Sequence, residues 1–379
     1  MTRTVALIGT LDTKGAEYDF VRRCLESRGW RALLIDVGTL DPPRVTPDIS
    51  REEVARAAGA GPDFFTRQDR GEAVAVMSRG AAALLPRLHA EGRFDGVLAL
   101  GGSGGTAIAT SGMRALPLGV PKVMVSTVAG TDVSPYVGVS DLVMVPSIVD
   151  ISGINRISRE VLARAAGAVC GMIEAPVPAG EDRPLIAASM FGNTTKAVEQ
   201  AKTILEAAGY EVLVFHATGT GGRTMEALID AGRIAGVLDL TTTEWADELV
   251  GGVLSAGPTR LEAAARTGTP AVVAPGCLDM VNFWAPETVP ERFRSRTLYP
   301  HNPNVTLMRT SVEESCRLGE ILAEKLNRST GPVSVLLPRK GLSALGAPGS
   351  PFWNPEADDA LFTALRSRLR SDIPIVEVD

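Results

Sequence analysis

Val97-Leu-Ala-Leu-Gly-Gly-Ser-Gly-Gly-Thr106 is the stretch that decides the fold. The apolar run from Asp95 to Leu100 reads as a buried strand, and it breaks into Gly101, Gly102, Ser103, Gly104 and Gly105 before Thr106. From Thr106 to Leu116 the apolar residues Ala107, Ile108, Met113 and Leu116 recur at roughly helical spacing. Strand, glycine turn and helix make the phosphate-binding unit of doubly wound α/β folds. Glycine lets backbone N–H groups approach an anion, and the helix start adds free N–H groups and the positive end of its dipole. The plain alternative is a tight strand–helix turn with no ligand.

Working outward, strands and helices alternate along the whole chain. Val5–Ile8 and Ala32–Val37 read as strands flanking a helix over Glu17–Leu25, and Ser50-Arg-Glu-Glu53 is a capping box that opens another helix. Asp69 opens a long helix with an expected bend at Pro86. Lys122–Ser126 and Leu142–Val145 are strands, and Asn155–Ile173 a helix. The pattern implies βαβ units and mainly parallel sheets. Glu174–Pro184, rich in Pro, Gly and charge, is the expected linker between a domain over 1–176 and a second over 185–379.

The second half repeats the first in order. Thr13-Lys14 matches Thr195-Lys196, Gly29-Trp30 matches Gly209-Tyr210, and Gly96-Val-Leu-Ala-Leu100 matches Gly236-Val-Leu-Asp-Leu240. Pro121-Lys-Val-Met-Val125 resembles Pro270-Ala-Val-Val-Ala274. Two related α/β halves follow. Pro275–Arg309, with five prolines, Trp284 and His301, reads as a long irregular excursion. A helix over Glu313–Asn327 and strands at Val333–Leu337 and Ile373–Val378 close the chain, the last packing on either sheet.

Bulk properties narrow the function. At 379 residues two domains are expected, and 45% hydrophobic with 22% charged residues is ordinary globular composition. A net charge of −6 gives no electrostatic case for nucleic acid. Four scattered cysteines without a C-x-x-C offer no zinc site and fit a reducing compartment. The first residues read as a strand and not a secretory signal, and no apolar run is long enough for a bilayer. The expected location is cytoplasmic.

Several loops carry residues suited to chemistry. Gly9-Thr10-Leu11-Asp12-Thr13-Lys14-Gly15 follows the first strand and lacks the Gly-Lys-Ser/Thr order of a Walker A loop. Its glycines, hydroxyls and cation still suit a phosphate; the plain alternative is that Asp12 or Thr13 caps a helix. Gly102-Ser-Gly-Gly-Thr-Ala107 also fits the dinucleotide pattern, but its next strand ends in Ser126-Thr127 without an acid, which places nicotinamide cofactors second. In Thr127–Asp132, Thr131 and Asp132 are candidates for a ribose, and Asp132 for Mg²⁺ or catalysis. Ser147, Asp150, Asn155 and Arg156 follow the next strand.

In the second half, Gly192–Lys196 and Thr218–Arg223 are similar polar loops, and His216, at a strand end, is a catalytic candidate. Thr241–Glu248, with Glu244, Asp247 and Glu248, is acidic enough to prefer a cationic group or a metal. Cys277 has no activating base nearby in sequence and is not read as a nucleophile.

Gly9–Gly15, Gly101–Thr106, Phe191-Gly-Asn-Thr-Thr195 and Pro275-Gly-Cys-Leu-Asp279, in this order, resemble the ATP-binding domain family of the tomato mosaic virus resistance protein. The likeness runs over nearly the whole chain. It implies two Rossmann-like domains, ATP bound mainly by the N-terminal one, and a homodimer. The plant protein's C-terminal TIM-barrel domain implies a separate TIM-barrel partner here. The reading is therefore an ATP-binding α/β protein with an interdomain cleft. Gly101–Thr106 and Gly9–Gly15 hold the phosphates, Lys14 neutralises one, and Asp132 helps to hold Mg²⁺. ATP hydrolysis or phosphoryl transfer would involve a second small-molecule ligand in that cleft. The alternatives are a non-catalytic nucleotide sensor that regulates a partner, or a nucleotide-sugar transferase or epimerase.

Overall fold

The computed structural model describes residues 3–61, 63–67 and 69–379. The chain divides into two compact units, one up to Ala179 and one from Gly180.

The first unit contains β1 (Thr4–Gly9), α1 (Leu11–Glu26), β2 (Arg31–Asp36), α2 (Arg51–Ala57), α3 (Arg70–Ala90), β3 (Gly96–Gly101), α4 (Ser103–Ala115), β4 (Lys122–Ser126), α5 (Ser134–Val137), β5 (Val143–Pro146) and α6 (Arg156–Glu174). All strand pairs are parallel, in the order β2-β1-β3-β4-β5. The central strands are near-continuous apolar runs because both faces are covered. Ala6, Ile8, Val97 and Ala99 pack against Met77 and Leu84 of α3 and Ile108 of α4. Val5, Leu7, Leu98 and Leu100 pack against Tyr18 and Val21 of α1 and Leu162 of α6. Helix α3 runs through Pro86 as a single element.

The second unit contains β6 (Leu185–Met190), α7 (Thr195–Ala207), β7 (Glu211–His216), α8 (Thr220–Asp230), β8 (Gly236–Thr241), α9 (Glu244–Val250), α10 (Ala263–Thr267), β9 (Ala271–Gly276), β10 (Met280–Phe283), β11 (Leu298–Asn302), β12 (Val305–Arg309), α11 (Val312–Leu326), β13 (Val333–Pro338), α12 (Pro355–Arg368) and β14 (Ile375–Val378). Six parallel strands run β14-β13-β9-β8-β6-β7. The final strand therefore joins the sheet of its own unit, beside β13.

The internal repeat extends to topology. In each unit the first strand lies inside the sheet, the second on one side of it and the third on the other. Matching bonds recur: Val97 N–H donates to Pro121 O at 2.8 Å, and Val237 N–H donates to Pro270 O at 2.8 Å.

Two expectations are corrected. Residues 275–309 are not irregular: β10, β12 and β11 form an antiparallel sheet. Pro300 sits in the edge strand β11, the place where a sheet tolerates proline, and the register shifts beside it. Helix α1 starts at Leu11 and α4 at Ser103, earlier than the apolar periodicity suggests. Leu11–Thr13 thus form a short helical turn that breaks at Lys14 (φ −119°, ψ 19°), and the continuous helix runs on from Gly15.

Candidate functional site

β1 pairs with β3, and the chain leaves these neighbours in opposite directions across the sheet, to β2 and to β4. The loops after β1 and β3 therefore flank the topological switch point at the carboxyl edge, where ligands of open α/β sheets bind. Tyr18 closes the floor of this gap. Its buried hydroxyl accepts the Leu100 N–H at 2.9 Å and faces the carbonyls of Ile8 at 2.6 Å and Leu100 at 2.9 Å. Burial raises its pKa, so it stays a neutral hydroxyl.

The two helix starts on this edge differ in chemistry. At α1 the anion position is already taken by the protein. Asp36, at the end of β2, accepts the Leu11 N–H at 3.2 Å and the Gly38 N–H at 2.8 Å on Oδ1. Asp12 is buried beside it and accepts the Leu40 N–H at 3.0 Å on Oδ2. Asp12 Oδ1 and Asp36 Oδ2 are buried without a partner among the described residues. Burial, and then the Asp12 charge, raises the pKa of Asp36.

The other members of the first motif have structural partners. A β-carbon on Gly9 would lie 1.9 Å from the Tyr18 ring, and one on Gly15 would lie 2.9 Å from Arg44 Cβ. Lys14 donates to the Ile151 carbonyl. Glu17 accepts the Gly153 N–H at 2.6 Å, so α1 pins the segment after β5. Thr13 Oγ1 bonds Thr10 Oγ1 at 3.1 Å, and Thr13 is exposed. Thr10 holds the cap position of the short turn Leu11–Thr13, without a side-chain bond to it.

At α4 the cap is Gly102, which has no side chain to satisfy the first N–H groups. A β-carbon on Gly104 or Gly105 would meet no atom within 4 Å outside their own helix. Ser103 is exposed, while Thr106 is buried and shares a 2.7 Å hydrogen bond with Ser126 that ties α4 to the end of β4. The first turn is braced from below and uncovered above.

Thr131 and Asp132 lie exposed between β4 and α5. Thr131 Oγ1 donates to Val128 O at 2.8 Å, and Asp132 accepts the Ser134 N–H at 3.0 Å, which lowers its pKa. Asn155 caps α6 in a capping box with Ser158, and Arg156 and Asp150 are exposed.

In the second unit the acidic segment 241–248 does not await a cation from outside. Arg260, 1% exposed, bonds Asp239 at 2.6 and 2.7 Å, Glu244 at 2.7 Å and Glu226 at 3.2 Å. Burial opposes its charge, but Asp239 and Glu244 more than offset this and raise its pKa. Glu244 also accepts the Gly219 N–H at 2.7 Å and the Gly222 N–H at 3.0 Å, filling the N-terminus of α8. The Thr218–Arg223 motif is thereby closed in the same way as α1.

Asp247 is buried against Asn282, whose backbone N–H and Nδ2 donate to it at 2.8 and 2.6 Å. Exposed His216 ends β7 with its ring 5.4 Å from that of Phe191. Cys277 is fully buried, and burial pushes its thiol pKa well up. Among the described residues no group of three or more His, Cys, Asp or Glu side chains is placed to hold a metal ion, and no helix is long and apolar enough to cross a membrane.

Sequence reading missed Asp36, Tyr18 and Arg260. Asp36 carried a usable signal, an acid at the end of the second strand. Arg260 carried none, since its three carboxylates come from distant segments.

Comparison with known proteins agrees with the two-unit architecture. The N-terminal domain model of the "Uncharacterised protein family (UPF0261)" matches residues 3–178, and its C-terminal domain model matches 183–379. A Clostridium tetani "UPF0261 protein" is 51% identical over 382 residues, covering 100% of this chain and 95% of the relative. The tomato "ToMV resistance protein Tm-1(GCR237)" is 45% identical over 309 residues, which is 80% of this chain and 41% of the plant protein. Among solved structures, Acinetobacter baumannii MurG aligns over 98% of this chain and 96% of its own, at 12% identity and a TM-score of 0.25, too low to bear on function. The chain belongs to the UPF0261 family, as a member built of both the N-terminal and the C-terminal domain of that family.

Proposed function

We propose that the first unit binds ATP, with the phosphates on the first turn of α4. The observation that carries this reading is the contrast at the switch point. Asp36 occupies the start of α1, whereas the start of α4 has a glycine cap, exposed Ser103, and glycines at Gly104 and Gly105 with open space above them. Glycine there lets oxygen atoms approach the N–H groups and the dipole end closely. Thr10 and Thr13 border the same edge and serve as hydroxyl donors, whereas Asp12, Gly9 and Gly15 are structural. Lys14, held by Ile151, braces the adjoining segment.

Mg²⁺ enters with the nucleotide. One exposed carboxylate suits a cation that keeps most of its waters and its phosphate ligands. Asp132 fits this role, since the Ser134 N–H favours its ionised form. The homodimer and the TIM-barrel partner rest on the family resemblance and belong to the same proposal.

The test is calorimetric titration of the full chain with Mg²⁺–ATP, on wild type and Gly104→Asp, with phosphate release followed in parallel. Binding to wild type and loss of binding in the variant supports the reading, and released phosphate adds turnover to it. Absence of wild-type binding, or undiminished binding by a folded variant, overturns it.

A further inference from the structure

Four stretches in this chain have the glycine- and threonine-rich composition of an anion loop, and two of the corresponding helix starts, α1 and α8, are filled by Asp36 and Glu244. Beside α4, that leaves α7 in the second unit. Its start borders a cavity of about 560 Å³ lined by residues of that unit alone.

The cavity exists because one face of the second sheet is only partly covered. Strand side chains alternate between faces. Val237, Asp239, Val273, Val335 and Leu337 are buried, and the apolar ones pack with Ala263, Leu322 and Leu361. Their neighbours Leu238, Leu240 and Leu336 point the other way, where α7 covers β6 and β7, and they remain only half-buried. Leu238, Leu240, Ala274, Leu336 and Val378 form an apolar floor, and α7 forms one wall.

The opposite wall, residues 341–344, is fixed in place. Cys277 N–H donates to Leu342 O at 2.8 Å, Ala344 N–H to Asn193 O at 3.1 Å, and Ser343 Oγ to Asp279 at 2.6 Å. Ser343 Oγ also accepts the Gly346 N–H at 3.0 Å, so its one donor is spent within the wall and cannot serve an occupant. Among the described residues Lys196 is the only charged side chain lining the cavity, and it forms no ion pair. The cap residue Thr194 makes no side-chain bond to the start of α7. A preformed apolar cavity of this size is typical of a small-molecule site. Lys196, the one cation among the lining residues and exposed to solvent, sets the polarity of its occupant.

We propose that the second unit binds a small organic anion, a carboxylate on a compact apolar body, with the carboxylate at Lys196 and the start of α7 and the apolar part over Leu238, Leu240 and Leu336. This site is independent of the nucleotide reading.

The experiment titrates the full chain calorimetrically with hexanoate, octanoate and decanoate, and with octanol and octylamine as neutral and cationic counterparts. Affinity is expected to rise about fourfold per added methylene, with octanoate bound at least tenfold more tightly than octanol or octylamine. Lys196→Met is expected to abolish the preference for octanoate over octanol while octanol binding persists. Ala201→Phe, which fills the cavity beside α7, is expected to abolish both. Ala197→Trp gives a second filled cavity should the first variant fold poorly. Mg²⁺–ATP titration of the same variants keeps this test separate from the nucleotide proposal, since ATP behaviour is expected to match wild type. Equal binding of octanoate and octanol to wild type overturns the proposal, as does octanoate binding that survives the folded filled-cavity variants. So does sedimentation showing that this face is covered by a second copy which octanoate does not displace.

Discussion

A β-carbon on Gly9 would fall 1.9 Å from the ring of Tyr18. Glycine is therefore required at the end of β1 by an aromatic ring nine residues further on, and not by a phosphate. Gly9→Ala is expected to destabilise the protein by at least about 1–3 kcal/mol through overpacking, read as a shift of the urea midpoint. Gly104→Ala, placed where a β-carbon meets nothing within 4 Å outside its helix, is expected to leave the midpoint within about 0.5 kcal/mol of wild type. Equal losses for the two variants would contradict this division of roles.

Asp36 holds the start of α1, and the same contacts separate its charge from its shape. Asp36→Ala leaves the Leu11 and Gly38 N–H groups without their acceptor, and a loss of about 1–3 kcal/mol is expected. Asp36→Asn keeps an acceptor oxygen and removes the repulsion from Asp12, so little or no loss is expected near pH 7. Thermal unfolding of both variants checks the pair; an Asn variant as unstable as the Ala variant would show that the charge itself is needed.

Arg260 neutralises Asp239, Glu244 and Glu226 in the second unit. Arg260→Met strands these carboxylates without a counter-charge, and a loss of about 3–5 kcal/mol is expected at neutral pH. The deficit is expected to shrink as pH falls from neutral toward about 4, because burial raises the pKa of the stranded carboxylates and the folded variant takes up protons before the unfolded chain does. Urea unfolding at several pH values reads both; a pH-independent deficit would mean that packing, not charge, is what Arg260 supplies.

Burial, partly opposed by its bonds to Asn282, pushes the Asp247 carboxyl from 3.8 up to about 7. Between these values the folded chain holds a proton that the unfolded chain has released. The contribution of Asp247 to stability therefore falls as pH rises from about 4 to about 7. Asp279, pushed by burial to about 6, acts in the same direction. Asp247→Asn keeps an acceptor for the Asn282 N–H, and Asn282 Oδ1, buried without a partner among the described residues, can turn to accept from the new amide. The variant is expected to gain stability relative to wild type as pH rises through this window. Melting temperatures compared from pH 5 to pH 8 decide it, and a constant difference would refute the assignment.

The central strand and glycine turn, the alternation of strands and helices and the internal repeat were all legible in the sequence. Each depends on residues close together in the chain: apolar runs for strands buried on both faces, glycine and proline for turns, Ser50 and Asp69 for caps. The antiparallel β10–β12 sheet was not legible, because its four-residue strand Met280–Phe283 is buried at every position and shows no alternation. The short turn Leu11–Thr13 before the break at Lys14 was hidden because it is polar yet buried at Asp12, against a segment that follows β2.

What the sequence determined by itself, then, is the parallel α/β scaffold of two related units and the helix starts with the composition of an anion loop. Which of those starts a ligand can reach was decided by tertiary structure alone. The carboxylates that close α1 and α8 each come from 25 residues along the chain, and they arrive only when strand order brings β2 beside β1 and α9 beside the start of α8. A helix N-terminus attracts whichever anion the fold delivers to it, and local composition does not record whether that anion belongs to the protein.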